Sequence, residues 1–401
     1  MQTSYFSNSY ISNNSTGIIF LLSYIVFKGR KVQAKLKCNH LTISSNDIDK
    51  IEIEWKRLEA CAKNSIFTSW YWIASWLKLI EYKTQLIQVT FKDEIVGLAF
   101  LSEYEQTKYG FKAKQLWLNR TGDISLDKIW HEYNDILCQA GMEHSIRAAV
   151  LEYFENTLIQ FDEFIVGASN NNIAQTPISN QLMQHTSWKT NSYSAKLTPE
   201  FSNWHSYLQT LSKNSRYQIK RTAKLFGGIE NISITRAQST DEALIFLQAV
   251  GEYHKIRWAN QNSGFKNQFF INFHQQFIKE HFDSNIIDIL KFHDGDKIFC
   301  YLYNFIYKGT VYFYLSGIEY TPDNRLKPGL LSHSMAIAYY AGLQYKKYDF
   351  MGGEGRYKDS LSNHKGKMII SNFRRKNLPF LLSHKLRKIK GTCARAINQL
   401  R

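Results

Sequence analysis

"YDFMGGEGRYKDSL", residues 348–361, runs a short apolar strand into Gly352 and Gly353, and a carboxylate, a third glycine and Arg-Tyr-Lys-Asp follow at once. Glycine permits positive φ and close backbone approach. The end of a strand in an α/β sheet is also where binding groups collect. Asp349 or Glu354 is suited to orient or deprotonate an amine, Tyr357 to give a proton to a leaving thiolate, and Lys358 to hold a phosphate or carboxylate. Each residue alone is more often structural than catalytic. Their crowding behind one strand is what points to a site.

The segment just upstream, "KPGLLSHSMAIAYYAG" (Lys327–Gly342), has Pro near its start and Gly at its end, which predicts a helix. A helix opening on Pro-Gly leaves backbone N–H groups pointing outward. With Arg325 and Lys327 beside Gly329, that start is a candidate anion site for a pyrophosphate. An ordinary capped helix explains the same pattern.

Further upstream, "TVYFYLSGI" reads as a strand, and "IIDILKFHDGDKIFCYLYNFI" as two strands joined by the hairpin signal Asp294-Gly295. Phe269, Phe273, Phe277 and Phe282 predict a helix before that hairpin. The first half has the same order. Phe67, Trp70, Ile73, Trp76, Leu77 and Ile80 form a helical face, and "QLIQVTFKDEIVGLAFLSEY" reads as strand, Lys-Asp-Glu turn, strand. "IWHEYNDILCQAG" reads as a helix ending near Gly141. The two hairpins resemble each other, which suggests a duplicated α/β unit. The polar stretch Gly167–Gln181 separates the halves. The expected organisation is an extension over 1–40, domains over 41–190 and 191–376, and a basic tail over 377–401.

Two more stretches offer charge. Lys213, Arg216, Lys220 and Lys224 recur at helical spacing and form one basic stripe, stopped by Gly227-Gly228. His254, Arg257 and Trp258 share one side of a helix. A solvated face and a structural cation are the plain explanations of each; contact with substrate is the functional one.

The chain has 401 residues and a formal charge of +16. Its length suits two domains. From Leu361 to Arg401 there are eleven Lys or Arg and no acidic residue, a balance that favours anionic partners or a solvated tail. Five scattered cysteines, with no metal-ligand spacing, argue against a disulfide framework or a metal and fit a reducing cytoplasm. The apolar run Gly17–Phe27 is shorter than the roughly 20 residues that span a bilayer, and reads as an extension or interfacial anchor.

"NSRYQIKRTAKLFGGIE", "YHKIRW", the hairpin, "PGLLSHSMAIAYYAG" and "YDFMGGEGRYKDSL", in that order, resemble the GNAT-type acetyltransferase domain of the CelD/BcsL group, associated with cellulose and exopolysaccharide synthesis and related to the FemAB aminoacyl transferases. The resemblance implies tandem GNAT-like α/β domains, mixed twisted sheets flanked by helices. It implies acyl transfer from acyl-CoA, such as acetyl-CoA, to an amine or hydroxyl of a small molecule or glycan precursor. The family's central-helix position falls on Pro328-Gly329, and its G-x-x-YK element on Gly353 with Tyr357-Lys358. Where CoA-binding members carry Arg/Gln-x-x-Gly-x-Gly/Ala, this chain has Arg325-Leu-Lys-Pro-Gly329, one residue longer and without the second glycine.

Two other readings stay open. The charge and "SRYQIKRTAK" suit an aminoacyl-tRNA-dependent transferase. The basic tail, with "LPFLLSHKLRKIKG" laid on anionic lipid, suits a non-catalytic envelope-associated protein.

Overall fold

The computed structural model describes residues 35–108, 111–170, 175–257 and 263–376. The apolar run Gly17–Phe27, the basic tail and Trp258 lie outside them. In chain order the elements are β1 (Lys37–Thr42), α1 (Ile48–Cys61), α2 (Trp70–Leu79), β2 (Gln85–Phe91), β3 (Glu94–Lys108), β4 (Phe111–Leu118), β5 (Leu137–Cys138), α3 (Glu143–Asn156), β6 (Glu163–Asn170) and β7 (Leu182–Lys196). There follow α4 (Trp204–Gln209), α5 (Lys213–Leu225), β8 (Ile232–Arg236), α6 (Thr240–Arg257), α7 (Gln268–His281), β9 (Ile287–Asp294), β10 (Lys297–Tyr307), β11 (Thr310–Ile318), α8 (Pro328–Gly342), β12 (Lys347–Gly352), α9 (Arg356–Leu361) and β13 (His364–Arg375).

The strands form one mixed sheet in the order β1-β2-β3-β4-β6-β13-β7-β12-β11-β10-β9-β8, with β5 added beside β3. The order is nearly a palindrome. Each half supplies antiparallel strands, then a helix, then a strand parallel to the one before that helix: β4 with β6 around α3, and β11 with β12 around α8. The last strand of each half crosses over. β7 pairs with β12, and β13 pairs with β6 as well as with β7. The expected mixed α/β architecture is present. The estimated boundary near residue 190 falls inside β7.

The apolar periodicities explain the layers. Helices α1 and α2 from the first half and α6 and α7 from the second share one aromatic core. The fully buried Trp72 indole contacts Phe67, Phe273, Phe277 and Phe305 there, joining residues from both halves. Helices α4, α5 and α8 cover the second half of the sheet, and α3 covers the first.

Both predicted hairpins form, and α8 ends at Gly342 as its sequence predicts. Three expectations change. The first strand among the described residues, β1, begins four residues before Leu41. The buried face of α7 is carried by Phe270, Phe273 and Phe277, with Phe269 and Phe282 only half-buried. The segment expected to be a helix ending near Gly141 is instead a 3-10 turn at Leu126–Ile129, an irregular loop, and the short β5. Trp130 and Tyr133 take left-handed φ values of 44° and 50° there. The Asn134 and Asp135 side chains bond to backbone groups, a pattern that competes with a helix.

Replacing Trp72 with alanine removes an aromatic contact shared by the two halves. The expected loss is about 3–5 kcal/mol of unfolding free energy, read from the denaturant midpoint.

Candidate active site

Parallel strands β11 and β12 stay in register only at Thr310–Lys347, Val311–Tyr348 and Tyr312–Asp349. Beyond that point they part, and a cavity of about 950 Å³ opens between them. One wall is the start of α8, with Lys327, Pro328, Gly329 and Leu330. The opposite wall is the turn after β12, with Gly352, Gly353, Glu354, Tyr357 and Lys358. The backbone of β11 from Phe313 to Ile318 runs along the cavity.

The turn takes its shape from β12. Its register against β7 slips between Asp349 and Met351, and Met351 adopts φ +62°. Such a bulge re-aims backbone groups. Gly353, at φ +108°, reverses the chain, a conformation that suits glycine. Gly352 sits close against its neighbours. A Cβ there would lie 3.0 Å from Met368 Sδ and 3.3 Å from Glu132 Oε2.

Glu132 is the residue that sequence reasoning missed. It comes from the first half, on the loop expected to be a helix, and its Oε2 accepts the Gly352 N–H at 2.8 Å. Burial lifts its carboxyl to about 7; the Gly352 N–H and the Lys358 ammonium pull it down, and Asp349 adds to the rise. A carboxyl in that range both takes and releases protons near neutral pH. Lys358 is shifted the other way. Burial lowers its ammonium, opposed by the negative charges of Glu132, Asp349 and Glu354, and its Nζ donates to the Gly352 carbonyl.

The other expected residues separate into two groups. Glu354, Tyr357, Lys358, Lys327, Gly329, His254 and Arg257 all line the cavity. Glu354 is an anchored carboxylate. It accepts from the Asn191 backbone N–H (3.0 Å) and side chain (2.9 Å), the Tyr193 hydroxyl (3.2 Å) and Thr190, and these bonds hold its pKa below the usual range. Tyr357 stacks on the buried His333 ring at 5.3 Å, and burial raises its phenol, so it stays protonated at neutral pH. Burial pushes His333 down to about 3 and His254 to about 4, so both are neutral. Arg257 lies over the Tyr320 ring at 4.3 Å.

Asp349, Arg325, Arg216 and Lys220 lie outside this cavity. Asp349 lines a second, polar hollow of about 920 Å³ with Tyr133, Lys347 and Arg147. It is buried and pairs with Lys347 at 3.0 Å. Arg325 grips Asp323 at 2.8 Å. The basic stripe on α5 faces outward, and the residues of α5 that reach the cavity are Asn214 and Gln218.

The first N–H groups of α8 have no partner within the helix, and the open edge of β11 offers further donors and acceptors. This arrangement suits an extended ligand with amides along its length and phosphates at one end. Among the described residues no cluster of His, Cys, Asp or Glu is arranged to hold a metal ion, and no helix is long and apolar enough to cross a membrane.

Residues 213–359, which contain every cavity-lining residue except Trp130, Glu132 and Ser360, match the family model described as an acetyltransferase (GNAT) domain. Over that stretch the chain is similar to acetyltransferase domains of this type, which supports an acyltransferase activity. Among solved structures, that of FemX is 8% identical, with a TM-score of 0.54, and 85% of this chain and 98% of that chain are covered. A conserved protein of unknown function from Bacteroides thetaiotaomicron VPI-5482 is 12% identical with a TM-score of 0.47 over 85% of this chain and 100% of that one. At these identities the likeness to FemX is one of fold. No curated protein matches the sequence.

Glu132 gives a stability signature. Its folded pKa of about 7 exceeds the ordinary 4.5, so the folded state binds more protons across that interval. Its contribution therefore becomes increasingly unfavourable as pH rises from about 4.5 to 7, and is constant above. Glu132→Gln removes that penalty. The variant's melting temperature is expected to gain on wild type between pH 5 and pH 8, measured by thermal scans across that range.

Proposed function

We propose that this protein is an N-acyltransferase that moves an acyl group from acyl-CoA to an amine or hydroxyl acceptor, with Glu132 as the general base. The observation that carries the reading is a carboxyl titrating near neutrality in the wall of a parted β11–β12 sheet, across from an open helix N-terminus. The match of residues 213–359 to the acetyltransferase (GNAT) domain supports the reaction class.

The fit to CoA rests on three features. The α8 N-terminus with Lys327 suits the pyrophosphate, the free stretch of β11 suits the amides of the pantetheine arm, and the apolar Phe313, Leu315 and Ile318 suit its methylenes. The bound thioester supplies an activated acyl carbonyl. Glu132 takes a proton from the acceptor nitrogen, the nitrogen–carbonyl bond forms, and the carbon–sulfur bond breaks. Tyr357, protonated at neutral pH, returns a proton to the departing thiolate. Lys358, drawn to the Gly352 carbonyl beside Glu132, sets the electrostatics of the base and the acceptor's seat. Glu354, with its depressed pKa and several donors, serves to fix the turn.

The resemblance to the CelD/BcsL and FemAB groups extends this reading to a glycan-precursor acceptor in envelope or exopolysaccharide synthesis. A second reading, transfer from an aminoacyl-tRNA, draws support from the outward basic stripe of α5, the helix whose Asn214 and Gln218 line the cavity. It predicts binding that weakens steeply with salt.

Two outcomes are expected in acyl-transfer assays. Glu132→Gln lowers kcat by about 10²–10⁴-fold while the KM for the acyl donor changes little. In wild type, kcat rises with pH through a midpoint near 7. Full activity in Glu132→Gln would remove this residue from the mechanism.

A further inference from the structure

Glu132 sits on a loop, and its neighbour Tyr133 provides the grip. The Tyr133 hydroxyl donates to Asp349 Oδ1 at 2.8 Å, across 216 residues of sequence. The same oxygen accepts the Met351 N–H at 2.8 Å, and Asp349 Oδ2 lies 3.0 Å from Lys347 Nζ. The next N–H along the strand, that of Gly352, donates to Glu132 at 2.8 Å. These bonds close a ring that runs Glu132, Tyr133, Asp349, Met351, Gly352 and back to Glu132. Two consecutive backbone N–H groups are thus shared between two carboxylates, and the covalent step from Glu132 to Tyr133 ties them together.

Both hinge points of the ring are strained. Tyr133 has φ +50° and Met351 has φ +62°, a region that non-glycine residues occupy only when their surroundings hold them there. The Asp349 carboxylate is what holds Met351, by accepting its N–H two residues on, and it holds Tyr133 through the hydroxyl. The far side of the loop is fixed separately. The fully buried Asn134 donates to the Leu118 and Gly167 carbonyls at 2.6 Å and 3.0 Å, and the Tyr314 hydroxyl donates to the Ile129 carbonyl.

We propose that Tyr133 and Asp349 are positioning residues for Glu132: their hydrogen bond holds the Met351 bulge so that the Gly352 N–H meets the Glu132 carboxylate. This rests on the reading of Glu132 as the base. It also gives Asp349 a role other than the proton acceptor that its place in the sequence suggests. The charged and titratable groups around Glu132 are Lys358 from α9, Asp349 from β12, and the Tyr133 and Tyr314 phenols.

The test uses the full-length chain with glutamate carboxyls labelled with carbon-13, the Glu132 resonance being assigned by its loss in Glu132→Gln. Tyr133→Phe keeps the ring and the charge balance and removes only the hydroxyl. A hydrogen bond to a carboxylate favours the ionised form. The Glu132 midpoint in Tyr133→Phe is therefore expected to move upward, and kcat to fall by about 10-fold or more with the donor KM within about 2-fold. Asp349→Asn keeps an oxygen for both donors and should recover most of what Asp349→Ala loses.

An unmoved Glu132 midpoint with unchanged kcat in Tyr133→Phe would overturn the proposal. So would an Asp349→Asn variant as inactive as Asp349→Ala. A wild-type Glu132 that titrates in the ordinary carboxylate range would instead overturn the assignment of the base. The shift between wild type and Tyr133→Phe would still decide whether the ring positions this carboxylate.

Discussion

The parting of β11 from β12 is the constraint on which the site depends. A parallel pair that separates after three residue pairs leaves backbone donors and acceptors without their strand partners, and those groups must find others. The fold contains the same geometry twice. In the first half, β4 and β6 are in register at Gln115–Glu163, Leu116–Phe164 and Trp117–Ile165. Just past those pairs the Asn134 amide bridges the Leu118 and Gly167 carbonyls, and its own N–H bonds to Ala168. That parting is closed by the protein. In the second half the equivalent parting opens onto the cavity.

The same loop accounts for both outcomes. Asn134 fills the first parting, and Glu132, two residues earlier, projects toward the second. One half is thus plugged and furnishes the other with a carboxylate. The exchange of β7 and β13 at the centre of the sheet, with the aromatic core around Trp72, brings the two halves close enough for this to work. The electrostatics follow from position. The enclosed Glu132 is raised toward neutrality, while Glu354, a few residues beyond Gly352 and bonded to Asn191, is lowered.

Much of the second half was legible in the sequence. Pro328 and Gly342 bracket α8, Asp294-Gly295 turns the hairpin, and Gly352-Gly353 marks the bend at the cavity. These are local signals, set by φ preferences and apolar spacing. Glu132 was not legible, because Ile129, Tyr133, Ile136 and Leu137 mimic helical spacing. The bonds that break that helix run to β4, β6 and β12, at 16, 33 and 216 residues' separation, beyond the reach of helical spacing. The run Asn134-Asp135 was the one local hint. Asp349 was visible as a carboxylate at a strand end, but the slip at Met351 that turns it toward the second hollow is a tertiary feature. The crossing of β7 and β13 likewise depends on pairings between distant strands, which periodicity does not encode.

The central claim is that the parted edge of β11 and the start of α8 receive an acyl-CoA donor. Amide hydrogen exchange followed by mass spectrometry, with and without acetyl-CoA, tests it directly, since a ligand bound at backbone N–H groups slows their exchange. The account predicts protection confined to Phe313–Ile318 and to Gly329 and Leu330, with the plugged β4–β6 region unchanged. Uniform exchange in both states, or protection centred on the hollow around Arg147 and Lys347, would contradict it.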